Sequence, residues 1–382
     1  MFNKNNNYCK MANSNKNLIV GNPENTSKFY IEYILSHIDD ESSYIILDKD
    51  GFCYNKYKDS FLKNNYDIKL LSLDNADISI KYNPFMLVKN DNIDIDIEII
   101  ARTFYNSILL NNKLCPCNSF FKEGEYKLLK ALAIYVYEVN KEYPKKQTLM
   151  EINDILKNNR DILCDLFNKH YVETNSSMFK ACWNDLKILP LDIFKQITFQ
   201  LVYDLSVFNI NQVSNLFSDN EISMNNIANR KTVIFVQYNS NDLIYNFIPS
   251  LFITQAFNIL YEQEYYKEKL VYNVRFILND FCYFSISYFS VLALYPNSKI
   301  KIDIITPSLE KLIDKYNTYN DFELLVYNCD NIILFNTNII EDINYICNFA
   351  NADISKLDNK HIMIISLKNG TKKIKIVPIK SI

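Results

Sequence analysis

Only four of the 382 residues are glycine. Loops that wrap phosphates or dinucleotides use glycine for backbone angles that a Cβ disfavours, so chemistry built on several such loops is excluded. Arginine is equally scarce, at Arg102, Arg160, Arg230 and Arg275, against an abundance of Asn, Ile, Lys and Tyr. This is the pattern of a nucleotide-biased gene, and it accounts for lysine over arginine without reference to function. A basic surplus is also missing: 41 Lys and Arg stand against 44 Asp and Glu, a net charge of −3. Binding to a nucleic-acid backbone draws on such a surplus, so on average the chain lacks that signature, and only a local basic patch stays open. His37, His170 and His361 lie far apart on different elements and predict neither a metal site nor a catalytic trio. Of nine cysteines only Cys115 and Cys117 are close, with no second Cys or His pair beside them, so reduced thiols are expected. The stretch 281–298 carries no charge, yet Ser285, Ser287, Ser290, Pro296 and Asn297 interrupt it. It predicts a buried helix rather than a membrane span.

Apolar residues make up 48% of the chain and charged residues 22%, which is a globular composition with material for a large core. Residues 1–16 form a polar, Asn- and Lys-rich lead. After it, strands and helices alternate: "LIV" at 18–20, a helix from about Ser27 to His37, "SSYIILDKDG" at 42–51, a helix near 54–64, and "YDIKLLSL" at 66–73. Continuous apolar strands separated by helices predict a parallel sheet covered on both faces. Helical periodicity takes over between residues 95 and 228, most clearly in "EYKLLKALAIYVYEV". Strand character returns in "KTVIFVQY", "NVRFILND", "KIKIDIITP" and "NIILFNT", and the chain closes on a hairpin with Asn369-Gly370 as its turn. The expected organisation is an α/β domain from residues 17–94 and 229–382, interrupted by an all-α insertion over 95–228.

The segment "LIVGNPENTSKFY" begins as a phosphate-binding strand–loop–helix and does not complete it. Counting from Gly21 through Asn25, Thr26 stands where a P-loop has its second glycine, Ser27 where it has lysine and Lys28 where it has a hydroxyl. Taken alone, this is an ordinary strand–turn–helix. Asp48, Asp50, Asn279 and Asp280 end predicted strands, and the C-terminal ends of strands are where open α/β sheets bind ligands. Solvated strand ends are the plainer reading of the same four residues.

The order of the short motifs resembles the TraG family, the coupling proteins of conjugative type IV secretion. "LIVGNPENTSKFY" sits at that family's phosphate loop, "YIILDKDG" resembles its strand ending in Asp-Pro-Lys-Gly, and "IKYNPF" at 80–85 matches its Tyr-Asn-Pro-Phe signature. "SFFKEGEYKLLKAL", Thr254-Gln255, "VRFILNDF" at 274–281, "NCDNIILF" and "LDNKHIMII" continue the correspondence to the end of the chain. The resemblance implies a RecA-like ATPase fold with an all-α inserted domain, ATP and Mg²⁺ as cofactors, and oligomerisation. It also implies partners in conjugation or type IV secretion, and a role in DNA transfer.

The departures are as informative as the matches. Thr26, Ser27 and Lys28 do not reproduce the glycine and lysine of the phosphate loop. Asn279-Asp280 stands where the family has the Asp-Glu that serves the metal and the attacking water, and Thr306 where it has a sensor glutamine. No arginine follows Arg275. Phosphoryl transfer depends almost wholly on positioning and charge, so four losses in one site predict a coupling-protein relative that is a pseudo-ATPase acting in docking or assembly. An ATPase using Lys28 or a neighbouring subunit's cation is the alternative, and a mobile-element protein with another binding role is a third. The chain starts just before the first strand, so a cytoplasmic protein that reaches the inner membrane through partners is expected.

Overall fold

The computed structural model describes residues 14–21, 23–38, 41–111, 119–157, 160–239, 241–267, 270–286, 298–316, 319–335, 339–351, 357, 361–368 and 371–378. The Cys115–Cys117 pair, the Asn369-Gly370 turn and most of the uncharged stretch lie outside them. Within that stretch Phe281, Cys282, Phe284, Ser285 and Ile286 are buried. No helix among the described residues is long and apolar enough to cross a membrane.

The chain divides into two compact units, residues 1–69, 223–240 and 258–382 in one and residues 70–222 and 241–257 in the other. The strands are β1 (Lys16–Val20), β2 (Ser42–Lys49), β3 (Asp67–Leu71), β4 (Thr232–Tyr238), β5 (Asn273–Leu278), β6 (Ile300–Thr306), β7 (Asn331–Leu334), β8 (His361–Lys368) and β9 (Thr371–Pro378). They form one nine-stranded sheet in the order β3-β4-β2-β5-β6-β1-β7-β8-β9. Pairing is parallel from β4 to β7 and antiparallel for β7–β8 and β8–β9. The strands expected at residues 18–20, 44–47, 233–238 and 274–278 thus share a single, mainly parallel sheet. Their Val, Ile and Leu runs are buried end to end, as a sheet covered on both faces requires.

Helix α1 (Pro23–Ser36) follows β1, and α2 (Phe52–Lys63) follows β2. The helix expected from Ser27 starts four residues earlier. Pro23 occupies its first helical position, where a fixed φ suits the helix and the missing N–H costs no intrahelical bond.

A buried polar chain crosses the sheet below its C-terminal edge. Arg275 on β5 donates from Nε and Nη2 to the Asp303 carboxylate on β6, at 2.5 and 2.9 Å. Asn17 on β1 and the Tyr30 hydroxyl on α1 donate to the same carboxylate at 2.7 and 2.9 Å. Asn331 on β7 then donates to Asn17, and Ser366 on β8 to Asn331, at 3.0 and 2.8 Å. Five neighbouring strands are held in one register by groups that would each be costly to bury unpaired.

The second unit is helical, built on α3 (Ile93–Asn111), α4 (Ser119–Val139), α5 (Leu149–Leu156), α6 (Arg160–Glu173), α7 (Ser177–Lys187) and α8 (Leu191–Leu205). Gly124 on α4 lies where a Cβ would meet the Ile197 side chain of α8 at 2.4 Å, so these two helices approach closely. Two motifs far apart in sequence meet in this unit. The buried Tyr82 hydroxyl donates to Gln255 Oε1, and Gln255 Nε2 donates to the Pro84 carbonyl at 3.0 Å. Asn83 closes the local turn, accepting from the Phe85 N–H at 3.0 Å and donating to the Gln147 carbonyl at 2.9 Å.

Candidate functional site

Strand register assembles the candidate residues at the C-terminal edge of the sheet. β1 and β6 end level at Val20 and Thr306, and the Gly21 N–H donates to the Thr306 carbonyl at 3.2 Å. β5 lies on the far side of β6, with Leu278 level with Ile304, so Asn279 and Asp280 emerge one strand away from Gly21. β2 runs beside β5 as far as Ile46 and Ile277, and three residues further on each strand Lys49 meets Asp280.

Asn25, Thr26, Ser27 and Lys28 do not lie on a loop. Their backbones belong to the first turns of α1, whose first four positions, through Thr26, lack an intrahelical acceptor for the N–H, whereas Ser27 and Lys28 lie past them. Lys28 is exposed, with Nζ 5.5 Å from the centroid of the Phe52 ring at the start of α2. Gly21 has φ of 154°, a positive value that a side chain disfavours.

Asp280 is 4% exposed, and its carboxylate is already engaged. Lys49 Nζ lies 2.9 Å from Oδ2, and the buried Tyr238 hydroxyl donates to the same oxygen at 3.1 Å. Burial and the adjacent Asp280 charge hold the Tyr238 pKa well above its ordinary value, so the hydroxyl stays a donor. Asp280 adopts the left-handed conformation at φ 54°, as does Asp50 at φ 53° after the neighbouring strand. Two non-glycine residues in this region, each costing about 1 kcal/mol or more, place backbone strain at this edge of the sheet.

Asn279 is 4% exposed, and its Oδ1 has no hydrogen-bond partner among the described residues. Thr306 turns its hydroxyl inward to the Ser308 carbonyl at 2.9 Å. Asp48 is fully buried and caps α2, accepting from the Cys53 and Tyr54 N–H groups at 2.7 and 2.8 Å. Burial outweighs those two donors and raises its pKa to about 6. On the other side, Lys315 Nζ donates to the Phe281 carbonyl at 3.0 Å and lies 3.3 Å from that ring's centroid. Desolvation lowers its pKa to about 7.

This donor set does not fit a magnesium–triphosphate group. The position that the motif order assigns to a metal ligand carries a neutral amide, the adjacent carboxylate has a lysine as counter-ion, and the one lysine of the phosphate-loop segment rests on an aromatic ring at the surface. The Lys49–Asp280 pair was not legible from the sequence. "DKD" and "ND" are separated by more than two hundred residues, and only the β2–β5 pairing joins them.

The sequence and the fold have counterparts among known proteins. Residues 34–349 match the family described as type IV secretory system conjugative DNA transfer. The bacterial conjugative coupling protein TrwBdeltaN70 in its unbound form is similar in structure, with a TM-score of 0.64 at 10% identity, covering 95% of this chain and 84% of that one. The plasmid coupling protein TrwB in complex with ADP and Mg²⁺ gives a TM-score of 0.67 at 11% identity, covering 97% and 86%. VirB4 of Thermoanaerobacter pseudethanolicus gives 0.58 at 11% identity, covering 95% and 88%. At such identities the likeness is one of fold, and that fold is the RecA-like class expected from the motif order. No curated protein matches the sequence.

Proposed function

Because the chain belongs to the family of type IV secretory system conjugative DNA transfer proteins, we propose that it serves conjugation as a coupling-protein-like component that docks or assembles without hydrolysing ATP. The observation that carries this reading is the Lys49–Asp280 pair at 2.9 Å. A carboxylate neutralised by the protein's own ammonium neither recruits a divalent ion nor polarises water. Asn279 beside it supplies no compensating charge. Phosphoryl transfer without a metal clamp or a phosphate-loop lysine loses its main sources of transition-state stabilisation, and rate losses of several orders of magnitude follow. The related TrwB is known in complex with ADP and Mg²⁺; in this chain Asp280 is engaged by Lys49 instead.

On this reading the partners are conjugation or type IV secretion proteins, in a homo- or hetero-oligomer. Contact with DNA is indirect or weak, and contact with the membrane runs through those partners. Titration calorimetry with Mg-ATP to millimolar concentration, together with a phosphate-release assay, tests the proposal. We expect no saturable heat and no turnover, whereas hydrolysis near ~1 s⁻¹, ordinary for enzymes, overturns it. A variant carrying Thr26→Gly, Ser27→Lys, Lys28→Thr, Asn279→Asp and Asp280→Glu is the companion. Nucleotide binding gained only there identifies the segment as the remnant of a nucleotide site.

A further inference from the structure

In the helical unit two acidic side chains face each other, and neither forms an ion pair among the described residues. Gly124 on α4 admits the Ile197 side chain of α8 where a Cβ would clash, and the next residue, Glu125, lies within hydrogen-bond reach of the Asp204 carboxylate on α8. Glu125 is 4% exposed. Its Oε1 meets no donor among the described residues, and Oε2 has the Tyr105 hydroxyl of α3 at 3.4 Å. That hydroxyl lies closer to the Lys122 carbonyl, at 2.8 Å, and a phenol has one proton to give. Asp204 accepts from Gln200 Nε2 at 3.2 Å. Lys122, on the preceding turn of α4, attracts Glu125 less than Asp204 repels it. Charges on other helices packed against α4 have partners of their own: Glu98 of α3 meets Lys130 at 3.2 Å, Asp185 of α7 meets Lys127 at 2.8 Å, and Asp154 of α5 meets Lys157 at 2.5 Å.

We propose that Glu125 and Asp204 share a single proton, which clasps α4 to α8 and makes the stability of the helical unit depend on pH across neutrality. Two facing carboxylates in a buried place cannot both ionise without a large cost. A proton on Glu125 turns their repulsion into an O–H···O⁻ hydrogen bond and supplies the donor that four acceptor oxygens lack. Burial, and after it the facing Asp204, raise the Glu125 pKa from 4.5 to about 9, and burial raises that of Asp204 as well. In the unfolded chain Glu125 ionises near its ordinary value. Between that value and about 9 the folded state therefore holds one proton that the unfolded state has released. Stability falls as pH rises through this window and levels off above it, where the proton has left to water and both carboxylates are charged. The inference does not depend on whether the C-terminal edge of the sheet binds nucleotide.

The test uses the full chain and compares urea denaturation of the parent and of Glu125→Gln from pH 6.5 to pH 8.5, above the range in which Asp48 titrates. The glutamine amide keeps a donor toward Asp204 and has no proton to lose. We expect the ratio of the two unfolding constants to change about tenfold per pH unit, the linkage of one proton, in favour of the variant as pH rises. Asp204→Asn should move the window to lower pH, because Glu125 then loses its charged neighbour and stays buried. Infrared difference spectra of the parent at pH 7 should show the carbonyl stretch of a protonated carboxyl, fading toward pH 10 and missing from Glu125→Gln. A ratio that does not change with pH, or a band that Glu125→Gln leaves in place, overturns the proposal. A parent spectrum without the band at pH 7 overturns it whether or not the variant folds. So does a rise in the parent's urea midpoint with millimolar Ca²⁺ that Glu125→Gln abolishes, which would make the pair a cation site.

Discussion

Two buried aspartates on adjacent strands of one sheet have been given different surroundings. Asp303, on β6, receives hydrogen bonds from Arg275, Asn17 and Tyr30, and the arginine beside it is itself 3% exposed. Asp280, just past the end of β5, receives one from Lys49 and one from Tyr238, and the lysine side chain is 34% exposed. The first carboxylate is sealed inside the sheet by a cation that cannot leave. The second lies at the mouth of the sheet with a cation reaching in from the rim. Both are neutralised from within the chain, and that lesson bears on function. On the function proposed above, Asp280, which the motif order sets where RecA-like enzymes do chemistry, serves structure in the manner of a carboxylate placed deep in the core.

Breaking the sealed pair should have the largest effect. Arg275→Met leaves the Asp303 charge buried with only neutral donors, and a loss of about 3–5 kcal/mol in urea-denaturation stability is expected. Adding Asp303→Leu should restore much of it; a cost below ~1 kcal/mol for the single variant would mean that the cross-sheet network does not hold the register.

Asp48 is a third buried carboxylate, held by two backbone N–H groups and no cation. Its folded pKa of about 6 lies above its ordinary value of 3.8. The folded state therefore binds the proton more tightly, and stability falls as pH rises through the window from about 4 to 6. The integrated effect is at most about 3 kcal/mol. Asp48→Asn should remove that slope while losing one capping acceptor, worth roughly 1 kcal/mol. Unfolding curves at pH 4 and pH 7 check this: the difference between variant and parent should move in favour of the asparagine as pH rises, and parallel curves would refute it.

Loosening the rim pair should cost less than breaking the sealed one. Lys49→Met leaves Asp280 with Tyr238 and with solvent nearby, so about 1–2 kcal/mol is expected after allowance for screening. Combined with Asn279→Asp it sets two free carboxylates side by side, and weak Mn²⁺ binding should appear by electron paramagnetic resonance where the parent has none. Failure of the combined variant to bind Mn²⁺ would show that more than the lysine stands between this edge and a metal. Lys28→Ala should change least, within ~0.5 kcal/mol, because a surface lysine over one ring contributes little. A larger change would return Lys28 to consideration as a working group of the site.

Much of the fold was legible in the residues themselves. Runs such as "YIIL" at 44–47, "VIFV" at 233–236 and "FIL" at 276–278 are apolar throughout, as strands buried on both faces are. The order of short motifs carried the family, and Thr26 and Ser27 in place of the second glycine and the lysine of a phosphate loop were visible without coordinates. The start of α1 was partly legible, since Pro23 is a helix-start signal in its own right. Counting positions along a P-loop template hid it. The tertiary structure alone decided the rest: that Lys49 reaches Asp280, that Tyr82 meets Gln255, that Arg275 is sealed against Asp303, and that β9 comes last in the sheet order among the described residues. Each is a pairing between segments distant in sequence or the consequence of a strand's place in the sheet. Local periodicity tells which face of a segment is buried, whereas the order and register of strands tell what that face is buried against.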